Sequence, residues 1–128
     1  HEFSEINIMP GPVQKPIPIW FGGSADAVIK RAARIGDGWM PIMPPNEKAA
    51  ECVAKLNGWL DEFGRDKSTF GLETWLRADA FDPDKWARTA DAWAKLGAQM
   101  AMLYPMYPLP TFEDHIKALE AFKGAVGD

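Results

Sequence analysis

Gly22-Gly23-Ser24 follows a short apolar run and precedes a stretch of helical spacing. That order of residues suits an anion. Glycines let the backbone approach closely, a helix N-terminus presents N–H groups with no partner inside the helix, and Ser24 adds a hydroxyl. The same residues also make a plain tight turn, with Ser24 or Asp26 serving the helix start. The segment is neither a Walker loop nor a dinucleotide fingerprint. The lysine of the first and the Gly-x-Gly-x-x-Gly spacing of the second are absent.

Three further groups could line a site. Trp39-Met40-Pro41 suits an apolar pocket wall or an ordinary strand core. Glu73, Trp75 and Arg77 share one face of a strand, while Leu72, Thr74 and Leu76 share the other. A charged pair on one strand face fits a polar barrel interior, an anion contact or an edge strand facing water. Met100, Met102, Tyr104, Met106 and Tyr107 form a soft, aromatic wall that suits a flat ring, although core packing explains the first two equally. Trp75, Arg77, Met102 and Tyr104 are the substrate-pocket candidates. No catalytic set assembles: there is no Ser-His-Asp group, shared carboxylate pair or thiol–imidazole pair. His1 and His115 are far apart, and no His/Cys/carboxylate cluster has metal-ligand spacing. Cys52 sits in a helical pattern and reads as a packing or surface thiol.

The elements that must hold these residues alternate. Ile17–Phe21, Gly38–Met43, Phe70–Leu76 and Gln99–Tyr104 read as strands. Helical stripes follow each: Val28, Ile29, Ala32 and Ala33; then Ala50, Val53, Asn57 and Leu60; then Trp86, Ala90 and Trp93; then Ile116, Leu119 and Phe122. Asn46, Asp82 before Pro83, and Thr111 with Asp114 are helix starts, and Gly36 and Gly97 are stops. Four βα units imply parallel strands with right-handed crossovers. In such folds ligands bind at the C-terminal ends of the strands, here the loops opening at Gly22, Pro41, Arg77 and Tyr104. Residues 1–16 read as an irregular segment and 17–128 as one domain.

Composition narrows the classes. The 128 residues carry 14 Lys+Arg against 18 Asp+Glu, a net charge of −4, with 47% hydrophobic and 25% charged residues. That is the profile of a soluble folded domain. It offers no basic excess for nucleic acid, no membrane-length apolar run and no secretory leader. The reading expects a cytoplasmic chain. A complete (β/α)8 barrel needs at least ~200 residues, so one cannot be held here.

Pro12-Val13-Gln14-Lys15-Pro16-Ile17-Pro18-Ile19-Trp20-Phe21-Gly22-Gly23-Ser24, continued by Arg31-Ala32-Ala33-Arg34-Ile35-Gly36-Asp37-Gly38-Trp39-Met40-Pro41, resembles the bacterial-luciferase-like monooxygenase family. Gly64-Arg65-Asp66 is similar to that family's later region. The resemblance runs from about Phe3 onward. It implies an α/β fold in which the four βα units are the C-terminal half of a (β/α)8 TIM barrel, strands five to eight. It also implies a flavin-type cofactor, FMN or the deazaflavin coenzyme F420, with the cofactor phosphate at Gly22, Gly23, Ser24 and Ala25. Met40 and Pro41 are carried over as neighbours of the cofactor. The first half-barrel of such a fold has no counterpart in this sequence. The resemblance therefore implies an oxidoreductase part that carries the phosphate loop and is not active by itself. Its complement is the missing N-terminal half-barrel or a second copy in a homodimer. Two other readings stand beside it. One is a non-enzymatic half-barrel that dimerises through exposed strand edges. The other is a small doubly wound sheet binding a nucleotide at its switch point.

Overall fold

The computed structural model describes residues 9–105 and 107–127. His1, the rest of residues 1–8 and Met106 lie outside the described residues. The elements run β1 (Trp20–Gly22), α1 (Asp26–Ile35), β2 (Gly38–Met40), α2 (Glu47–Glu62), a short 3-10 turn (Lys67–Thr69), β3 (Gly71–Ala78), α3 (Pro83–Lys95), β4 (Met100–Pro105) and α4 (Phe112–Val126). The four strands form one parallel sheet in chain order, β1-β2-β3-β4. Each helix returns the chain to the next strand, so the fold is four βα units laid side by side.

Local chemistry explains most boundaries. Asn46 accepts a hydrogen bond from the Ala49 amide at 3.2 Å. Asp82 accepts from the Lys85 amide at 2.9 Å, with Pro83 in the first turn of α3. Thr111 and Asp114 form a reciprocal capping box on α4. Each satisfies donors that the helix itself leaves unpaired. β1 begins at Trp20, not at Ile17, because Pro16 and Pro18 bring no N–H to a ladder. β2 stops at Met40 and does not reach Met43, for the same reason at Pro41. β3 runs past Leu76 to Ala78, so Arg77 belongs to the strand and not to the following loop.

The sheet has one covered face. Leu72, Thr74, Leu76 and Ala78 of β3 alternate into the helix layer and are buried. Trp39 is fully buried there with Ile29, Ala32 and Ala33 of α1 and Leu56 and Leu60 of α2. Burying each Leu or Ile side chain is worth about 1.5–3 kcal/mol. Cys52 lies inside this cluster as a packing thiol. On α2 the stripe is Ala49, Cys52, Val53, Leu56 and Leu60; Ala50 is exposed and Asn57 half-buried, which corrects the expected phase. Arg65, just past α2, donates from Nη2 to the Gly36 carbonyl at 2.8 Å and from Nη1 to the Arg34 carbonyl at 3.3 Å. It ties the C-terminus of α1, whose last carbonyls have no helical partner.

The opposite face is bare. Glu73, Trp75 and Arg77 pair in register with Met100, Met102 and Tyr104, and all point away from the helices. Met100, Met102 and Tyr104 are 44%, 46% and 46% exposed. Parallel strands are usually covered on both faces; β4 is not. Lower on this face the Trp20 indole lies across Gly38 and Gly71 of the next two strands, where a Cβ on either would collide with the ring. Glycine is what lets one flat side chain cover three strands. The stripe expected on α4 also differs. Only Ala118 is buried, while Ile116 and Leu119 are exposed, because among the described residues α4 packs mainly on α3.

Candidate functional site

The Gly22–Ala25 turn sits where β1 hands over to α1, at the C-terminal end of the sheet. Gly23 has φ +105°, a conformation that side chains with a Cβ rarely adopt. Its carbonyl accepts a 2.7 Å hydrogen bond from the indole Nε1 of Trp39 on the neighbouring strand. A side chain from the dry core thus pins the turn from below. No Cβ on Gly22 or Gly23 stands over the turn, and Ser24 and Ala25 are exposed.

The start of α1 differs from the other three helix starts. Its N-cap is Ala25, with extended backbone and no side-chain hydrogen bond to the first turn. The Ala25 carbonyl accepts from the Val28 and Ile29 amides at 2.8 and 3.1 Å, so the helix is well formed. Neither Ser24 nor Asp26 serves as the cap. Asp26 is held instead by Lys55 of α2, 2.7 Å from Oδ2. This hydrogen bond raises the Lys55 pKa above its ordinary value. The first-turn N–H groups of α1 are therefore left without a side-chain acceptor, above two glycines and beside a free hydroxyl. Such a cradle fits a phosphate. The Asp26 charge would oppose it, and Lys55 offsets that charge.

Met40 pairs with Gly22 across the β1–β2 ladder and is half-buried. Pro41 is buried, so Met40 is the residue of this pair that borders open space. Farther along, Trp75 and Arg77 border a cavity of about 350 Å³ with Ile42, Met43, Pro44, Lys85 and Thr89. The Trp75 and Tyr104 rings are 5.8 Å apart at 49°. Met102 and Tyr104 stand on the bare face, next to Trp75 and Arg77 in register. Tyr107 is half-buried, and burial pushes its phenol pKa up. The structure thus brings Trp75, Arg77, Met102 and Tyr104 together, and sets Met40 with the Gly22–Ala25 turn. His115 is exposed on α4. A larger cavity of about 620 Å³ lies under α3 and the end of α4, by the start of β4 and away from the turn.

Two functional contributions were missed in the sequence. The Trp39 tie to Gly23 needs the β1–β2 register, which no local pattern gives. Lys85 was passed over because it falls in the first turn of a helix, where it looks like ordinary surface. Among the described residues, no group of three or more His, Cys, Asp or Glu could hold a metal ion. No helix among them is long and apolar enough to cross a membrane.

Comparison with known proteins agrees with this architecture. Residues 1–121 match the family model described as luciferase-like monooxygenase. Uncharacterized proteins of Mycobacterium tuberculosis and Mycobacterium bovis are 33% identical over 91 residues, which is 71% of this chain and 30% of theirs. An F420-dependent secondary alcohol dehydrogenase, solved with an F420-acetone adduct, superposes with TM-score 0.69 at 16% identity, covering 91% of this chain and 51% of that one. The coenzyme F420 dependent tetrahydromethanopterin reductase of Methanopyrus kandleri gives TM-score 0.68 at 13% identity, covering 86% and 50%. The chain spans about half the length of these solved structures and 30% of the length of the curated relatives.

Proposed function

This chain belongs to the luciferase-like monooxygenase family, and from that premise we propose that it is the phosphate-holding part of a flavin- or deazaflavin-dependent oxidoreductase. The observation that carries the reading is the start of α1, with Ala25 at the N-cap and no side-chain acceptor on the first-turn amides. Three other helices of the same chain have such an acceptor, in Asn46, Asp82 and Thr111. Gly22 and Gly23 would give the backbone close approach, and Ser24 would donate its hydroxyl to a phosphate oxygen. Trp39 would hold the turn in shape through Gly23. Met40, Met102 and Tyr104 would offer soft and aromatic surface to a ring, and Trp75 with Arg77 would border the substrate. The bound flavin or deazaflavin supplies hydride chemistry; the residues bind, orient and shield. Binding by these residues is the part of the activity proposed here.

The test is fluorescence titration with FMN and with coenzyme F420. Saturable binding weakened by Ser24→Asp is the expected result, since a carboxylate repels the phosphate. No saturable signal with either cofactor removes cofactor binding by this chain. Unchanged affinity in Ser24→Asp moves the phosphate elsewhere.

A second reading is favoured by a different observation. Among the described residues β1 and β4 end the sheet with unpaired edges, and Met100, Met102 and Tyr104 lie open beside the β4 edge. A second copy could pair these edges and cover that row, since two-fold association is the commonest closure. In this reading the chain is a non-enzymatic half-barrel dimer in a cytoplasmic setting. A monodisperse monomer in light scattering would count against it.

A further inference from the structure

The cavity of about 350 Å³ at the end of β3 is lined by two kinds of group. Ile42, Met43 and Pro44, from the loop after β2, make an apolar wall. Arg77 and Lys85 bring charged donors, beside the Trp75 ring. Among the described residues no carboxylate lines it. The Trp75 indole Nε1 is buried and has no acceptor among the described residues. Arg77 uses only Nε on Asp79, at 3.0 Å, which leaves its two terminal amino groups unengaged. Lys85 makes no ion pair among the described residues, and its backbone amide, not its ammonium, is what Asp82 accepts from.

We infer that this cavity is a carboxylate subsite, taking an organic acid whose apolar body rests on Ile42, Met43 and Pro44. Arg77 and Lys85 engage the carboxylate oxygens, and the Trp75 ring stands beside them. Charge-assisted bonds of this type are the strong ones, and a guanidinium end offers two parallel donors to one carboxylate. The subsite lies two strands from the Gly22–Ala25 turn, roughly 10 Å away by the strand spacing. The inference rests on the reading of these strand ends as the ligand side, and it adds the chemical class of a second ligand group. That group belongs to a substrate or is a second acidic group of the cofactor itself.

The test is titration of the whole chain with phenylacetate, followed by the indole ¹H–¹⁵N signal of Trp75. That signal is identified by its absence in Trp75→Phe. A saturable shift with phenylacetate, and binding at least about tenfold weaker with neutral phenylacetamide, is the expected result. Arg77→Gln and Lys85→Gln should each weaken phenylacetate by about tenfold, while Lys85→Arg keeps most of the affinity. Equal binding of acid and amide, or unchanged affinity in both Gln variants, overturns the subsite. Adding saturating FMN or F420 separates the sources. Phenylacetate that stays bound marks a substrate group, and phenylacetate that is displaced marks a cofactor group. Inorganic phosphate, followed by the Ser24 amide, tests the turn independently. If phosphate fails and phenylacetate binds, the cofactor reading falls and the subsite stands.

Discussion

The two faces of this sheet are built from the same strands and do opposite things. On the face under α1 to α4, alternate residues of β3 vanish into a dry layer with Trp39, Leu56 and Leu60. On the other face, Glu73 and Trp75 are half-buried, Arg77 is exposed, and their partners Met100, Met102 and Tyr104 stay exposed. Stability comes from the first face, because that is where apolar area leaves water. The second face keeps the polar and soft side chains that a bound ligand or a complementary half-barrel would need. The difference teaches that a half-barrel can hold its shape through its helix layer while leaving its inner face unfinished.

Trp39 joins the two regions, so changing it should have the largest effect. Its ring is fully buried on the helix side, and its Nε1 reaches the Gly23 carbonyl at the Gly22–Ala25 turn. Trp39→Ala should cost about 3–5 kcal/mol in urea unfolding, as large-to-small core changes do. Trp39→Phe retains most of the packing and loses the hydrogen bond, a loss of about 1 kcal/mol. It should weaken FMN binding more than it weakens the fold. If Trp39→Phe leaves cofactor affinity intact, the core does not hold the turn.

A matched pair measures the face contrast directly. Leu76 and Met102 lie one register step apart on adjacent strands, one on each face. Leu76 is 2% exposed, and Leu76→Ala should cost about 2–5 kcal/mol. Met102→Ala should stay within about 0.5 kcal/mol, as exposed sites usually do. Equal losses would mean that the inner face is covered in solution, which is what a second copy would do. Repeating the pair across protein concentrations identifies that case.

How legible all this was in the sequence depends on distance along the chain. Asn46, Asp82-Pro83 and Thr111 with Asp114 gave three helix starts correctly, because a cap is a contact across three residues. The four βα units were readable from the change of period at each Gly or Pro cluster. Strand ends were not, since the prolines at 16, 18 and 41 matter only once a ladder partner is known. The phase of α2 was misread by one residue. Ala49 and Ala50 are both small and apolar, and only packing chooses between them. Ile116 and Leu119 looked like a core stripe because the residue pattern is that of a covered helix. The pattern is sound, and among the described residues α4 packs mainly on α3. Of the candidate site, Gly22-Gly23-Ser24 was legible as a strand-to-helix turn, whereas the Trp39 tie and Lys85 required the register of strands far apart in sequence.

Helix starts give a finer comparison between α1 and the capped helices. Ala25→Asp should supply the cap that α1 lacks. The expected gain is about 0.5–1 kcal/mol in thermal or urea unfolding, near what Asp82→Ala should remove from α3. The same substitution places a carboxylate where the phosphate is proposed to sit, so FMN binding should fall as stability rises. Opposite signs in the two measurements would mark a helix start left open for a ligand. A gain in stability with unchanged affinity would mark it as a merely imperfect cap.

The smallest expected effect concerns a cap that is complete. Asp114 accepts from the Thr111 hydroxyl at 2.7 Å and from the Thr111 amide at 3.2 Å. The hydroxyl bond, with the amide bond and nearby Lys117, holds its carboxyl below the ordinary 3.8. A folded-state pKa below the unfolded value means that the ionised group favours folding. That contribution is fully present above the unfolded value and fades as pH falls through the depressed one. Asp114→Asn should therefore lower the urea midpoint slightly at neutral pH, and the gap to the parent chain should close in acid below pH 3.8. The carboxyl is exposed, so the gap stays small at every pH. A gap that widens in acid would reverse the sign and remove the charge from the account of this cap.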